Sequence, residues 1–157
     1  MLESLRKLFS DLGGGESGRT FDEGDYRVAA AALLVHIVGL DGTVTEAERT
    51  RLHAILKSRF DLDEAQTAEL VEEATQAEGE AVDLYHFTRL INRSLDEEGK
   101  KRIIEMMWEM IYADHQVNEF EDNVVWRVAD LLGVSSRERI GLRQQVEAAQ
   151  TKVETTD

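Results

Sequence analysis

The chain has 157 residues, 18 Lys and Arg against 32 Asp and Glu, a formal net charge of -14, and neither cysteine nor proline. That length suits one domain with its own core. The missing thiols exclude disulfides, thiolate metal sites and thiol redox chemistry, and the charge argues against nucleic-acid phosphates and anionic membrane surfaces.

The first expected element is an amphipathic helix over residues 2–12, with Leu5, Leu8, Phe9 and Leu12 on one stripe. Gly13, Gly14, Gly15 and Gly18 then read as a flexible linker. Residues 1–20 thus form an N-terminal unit that docks on the body or recruits a partner or lipid. The opening stretch is too short and too charged for a signal peptide.

The body, residues 21–150, is expected to be all-α, with about seven helices and no competing strand pattern. The first helix spans about Glu23 to Leu40. Its apolar run Val28 to Leu40 has 13 residues, short of the roughly 20 a membrane span needs. A second helix follows the cap Thr45 and runs to about Phe60, with Leu52, Ile55 and Leu56 inward. Asp63 caps a third, which Gly79 should break. Asp83 caps a short fourth with Phe87, Leu90 and Ile91. Asp96 caps a fifth, to about Ala113, and Asn118 caps a sixth that ends at Gly133. Ser135 or Ser136 opens a seventh, ending near Gln150. Residues 151–157 read as a disordered tail.

A turn recurs at an offset of 73 residues. Leu40-Asp41-Gly42-Thr43-Val44 precedes Glu48, and Ala113-Asp114-His115-Gln116-Val117 precedes Glu121. Flanking residues follow the same offset: Leu34 meets Met107, Ile37 meets Met110, and Leu52 meets Val125. Each half therefore holds a long apolar helix, an acidic turn and an amphipathic helix. Two such units packed about a pseudo-two-fold axis would put the apolar helices at the centre.

The acidic turns have two readings. Asp41, Glu48, Asp114 and Glu121 are hard oxygen ligands. If the turns converge, their mutual repulsion would be relieved by Ca²⁺, Mg²⁺ or Mn²⁺. Alternatively, Thr45-Glu46-Ala47-Glu48 and Asn118-Glu119-Phe120-Glu121 are capping boxes, and helix-end chemistry explains the acids. An EF-hand is excluded, because its first and third ligand positions would fall on Ile37 and Gly39.

These turns resemble those of the TerB-like family, the tellurite-resistance and stress-associated group of small helical proteins. The pattern is a small apolar residue, Asp-Gly, an aliphatic residue two further on, and Glu seven after the Asp. The second copy departs from it at His115. The likeness covers roughly residues 24–148. It implies a helical domain with internal pseudo-symmetry and a divalent-metal site mapping to Asp41, Glu48, Asp114 and Glu121. It further implies an accessory stress-response module, not an established catalyst. Without cysteine the chain cannot trap tellurite through a thiol.

Other motifs are silent. His36, His53, His86 and His115 form no His-Glu-x-x-His, and the serines and glycines form no nucleophile elbow, P-loop or dinucleotide fingerprint. His36 and Glu109 hold matching places in the two halves and are expected to pair across the axis. Trp108, Met106, Met107 and Met110 read as core, or as a Met-rich peptide groove. Between Phe60 and Thr88 there is no Lys or Arg but nine acids, a solvated face or one suited to a basic protein partner. The sequence thus predicts a cytoplasmic, non-catalytic module. Its alternative to cation binding is metal-free protein interaction through the acidic face or the N-terminal helix.

Overall fold

The structure, a computed structural model, describes residues 21–22, 24–40, 42–112 and 117–150, and the backbone of 151–156. The expected N-terminal helix and linker lie outside the described residues, which contain seven helices and no strand.

The first helix, α1, spans Tyr26–Val38. Asp25 caps it by accepting the Arg27 backbone N–H at 2.9 Å. Its stretch Ala29 to Leu34 is buried on every side rather than along one stripe. The alanines let four neighbouring helices approach closely. Asp25 also holds the Arg27 guanidinium at 2.7 Å. Burial works against ionised Asp25, but the side-chain and backbone hydrogen bonds from Arg27 outweigh it and hold the carboxyl below its ordinary range. A depressed folded pKa stabilises above the unfolded value and is lost as pH falls through the folded one. In urea melts, wild type should therefore exceed Asp25→Asn at pH 7, and that margin should shrink below about pH 4. Asp25→Ala also removes the cap and should cost about 1 kcal/mol.

Helix α2 spans Glu46–Arg59 and α3 spans Glu64–Glu80, capped by Thr45 and Asp63 as expected. Gly79 does not break α3, which runs on to Glu80 before Ala81 turns extended. A glycine in an exposed helix costs only about 1 kcal/mol, which α3's packing on α1 overrides. Helix α4 spans Tyr85–Ser94, with Leu84, not Asp83, at its cap position. Asp83 still accepts the Tyr85 N–H at 3.0 Å.

Helix α5 spans Glu97–Ile111 behind its cap Asp96, and α6 spans Glu119–Leu132 behind Asn118. Gly133 ends α6 at φ 78°, a left-handed conformation that costs other residues a Cβ clash. Helix α7 spans Ser136–Thr156, so its backbone runs on past Gln150, near which its end was expected.

Within α1–α3 each helix packs on the other two, and the same holds within α5–α7. Helices α1 and α5 pack against each other between these trios. Their buried Leu33, Leu34, Met106, Met107 and Ile111 form much of the core.

His36 and Glu109 do not pair. His36 Nδ1 lies 3.1 Å from Glu78 Oε2 on α3. Glu109 accepts from Arg59, at the end of α2, at 3.1 and 2.6 Å. Matched positions in the two trios face different helices, and a guanidinium fork takes the carboxylate.

Candidate functional site

Both acidic turns lead into helices through the same local chemistry. In the first, the Thr45 hydroxyl accepts the Glu48 N–H at 3.1 Å, and Glu48 Oε1 accepts the Thr45 N–H at 2.9 Å. In the second, Asn118 Oδ1 accepts the Glu121 N–H at 2.8 Å, and Glu121 Oε1 accepts the Asn118 N–H at 3.1 Å. Each box satisfies two amides that helix geometry leaves without partners. Gly42 adopts φ 82° in the first turn, and its N–H donates to the Gly39 carbonyl at 3.0 Å. That positive φ accounts for the glycine of Asp-Gly.

Glu48 and Glu121 are thus placed at the starts of α2 and α6, each half-buried beside its cap. Asp41, Asp114 and His115 lie outside the described residues. Among the described residues no group of three or more His, Asp or Glu is arranged to hold a metal ion.

Two further boxes open α3 and α7, the third helix of each trio, where Asp63 and Ser135 match with a one-residue shift in the 73-residue offset. Asp63 and Gln66 exchange bonds of 2.7 and 3.0 Å, and Ser135 and Glu138 exchange two of 3.1 Å. The spacing of a cap followed three residues later by Glu or Gln was visible in the sequence at both places. The junction of Arg59 with Glu105 and Glu109 was not, because its members are about 50 residues apart and obey no local pattern. The two tryptophans also separate: Trp108 is buried in the core, whereas Trp126 is exposed.

Residues 27–144 match the family model described as Tellurite resistance protein TerB. The chain belongs to the TerB family. No curated protein and no solved structure matches it. The TerB match takes in both acidic turns and helices α2 to α6 complete, beginning one residue into α1 and ending within α7. It carries the resemblance seen in Asp41-Gly42 and Glu48 from a short motif to most of the chain. No helix among the described residues of this TerB chain is long and apolar enough to cross a membrane.

Proposed function

We propose that this TerB chain is a non-catalytic, cytoplasmic accessory module of stress response, tellurite-resistance type. Its paired acidic turns bind a divalent cation through Asp41, Glu48, Asp114 and Glu121. The supporting observation is the recurrence of one arrangement: Glu48 and Glu121 each sit third in a capped helix, behind an Asp-bearing turn. Capping does not compete with cation binding, because an ionised carboxylate has about four acceptor positions and the box uses Oε1. Four carboxylates form a hard donor set, which suits Ca²⁺, Mg²⁺ or Mn²⁺.

The second reading is a metal-free protein-interaction module. It is favoured by the exposed acids Asp61, Asp63, Glu64, Glu72, Glu80 and Asp83 on and around α3. Thermal unfolding after chelation, with each metal returned in turn, separates the two. A cation at about ten times its dissociation constant should stabilise the fold by roughly 1.4 kcal/mol. That gain should vanish in the double variant Asp41→Asn/Asp114→Asn. If no metal raises the midpoint of the wild type, the turns are caps alone and the cation reading fails.

A further inference from the structure

Between α3, α4 and the start of α1 lies a groove of about 480 Å³. Buried Val28, Phe87 and Leu90 supply apolar walls, and Val82, 99% exposed, forms the lip. Glu73, Glu80 and Asp83 also line it, and no Lys or Arg does. On the α3 side the lining residues Glu73, Gln76, Ala77 and Glu80 share one helical face. That face is two turns long, about 10 Å, the length over which a helix presents anchors at i, i+3, i+4 and i+7.

We propose that this groove docks an amphipathic, Lys- or Arg-rich helix of a partner protein. Its apolar side chains would lie over Phe87, Leu90 and Val82, and its cations would meet Glu73, Glu80 and Asp83. This is independent of the cation reading and rests on the protein-interaction reading, which it deepens by naming the surface and the chemistry of the partner.

Charge chooses the occupant. The stretch from Phe60 to Thr88 carries nine acids and no Lys or Arg, a field of one sign that attracts a cationic partner. The chain's own amphipathic segment, residues 2–12, suits it less well. There Arg6 and Lys7 are cancelled by Glu3 and Asp11. A second copy of a chain with net charge -14 would bring repulsion.

The test uses the full chain and a synthetic amphipathic peptide of Leu and Lys, with a Leu and Glu peptide of the same pattern as control. Backbone amide shifts locate the contact, and titration gives the affinity. The expected result is saturable binding of the Leu/Lys peptide, with shifts concentrated at residues 73–90, and none by the control. The triple variant Glu73→Gln/Glu80→Gln/Asp83→Asn should weaken binding tenfold or more. Val82→Ser, at a fully exposed position that cannot disturb the core, should weaken it several-fold. Added salt should weaken it too. Shifts scattered over other acidic surfaces, or affinity indifferent to both variants, would overturn the proposal. Binding that appears only after deletion of residues 2–12 would overturn it in favour of the chain's own segment. Self-association abolished by Val82→Ser would overturn it in favour of a second copy.

Discussion

Trp108→Ala should cost about 3–5 kcal/mol, the range for truncating a buried aromatic. Trp108 is 1% exposed on α5, and its indole N–H donates to the Arg139 carbonyl of α7 at 3.2 Å. The Arg143 guanidinium lies 5.3 Å from the ring centre and donates through Nε to the Tyr112 hydroxyl at 2.8 Å. Tyr112 donates in turn to Glu147 at 3.1 Å. Truncation therefore opens a cavity, removes a second donor from a carbonyl inside α7 and takes away the surface on which Arg143 rests. At this chain length each kcal/mol moves the midpoint by about 2–4 °C, so a fall of roughly 6–20 °C is expected. Trp108→Phe keeps most of the ring and loses the donor, and should cost about 1–2 kcal/mol. Trp126→Ala, at a half-exposed site, should stay within about 0.5 kcal/mol. Equal losses for the two alanine variants in urea melts would contradict the packing described.

The contrast between these tryptophans marks what the sequence could show. Trp108 follows Ile104 by four residues and precedes Ile111 by three, so periodicity placed it inward. Helix starts were legible because a cap is local chemistry: Thr45, Asp63, Asp96 and Asn118 all stand where their side chains implied. Ends were harder. Gly133 was readable, since only its left-handed turn closes α6. Gly79 misled, since the same residue type also sits within a helix at modest cost.

The candidate site divides along the same line. That Glu48 and Glu121 return to their caps is a three-residue relation, and it could be read before any fold was known. Whether Asp41 and Asp114 join them is a tertiary relation, which no local spacing carries. His36 shows how such inferences fail: matched sequence positions suggested Glu109, and the packing of α1 on α3 supplied Glu78 instead. Pseudo-repeats equate positions within each half, but side chains near the junction answer to whichever helix lies opposite.

Arg59 is the test of that junction, because it joins α2 of the first trio to α5 of the second. Its guanidinium reaches Glu105 Oε1 at 2.8 Å and Glu109 Oε2 at 2.6 Å, with side-chain exposures of 26%, 13% and 31% for the three residues. Burial opposes its charge, but Glu109 and then Glu105 outweigh that and raise its pKa further. Arg59→Ala should cost about 2–3 kcal/mol, below the range for a fully buried pair because water reaches all three groups. Part of that cost is what remains behind: two carboxylates four residues apart on one face of α5, with only Glu105 still held by Arg102 at 2.9 Å. Arg59→Lys should fall between, since an ammonium cannot fork across two carboxylates. Adding Glu105→Gln and Glu109→Gln to Arg59→Ala should restore more than half of the loss, as coupled neighbours do. Urea is the denaturant to use, because guanidinium salts would screen the repulsion being measured. If the triple variant is no more stable than Arg59→Ala alone, the loss comes from the arginine stem's packing, and the trios are held together by their apolar faces without this ionic clasp.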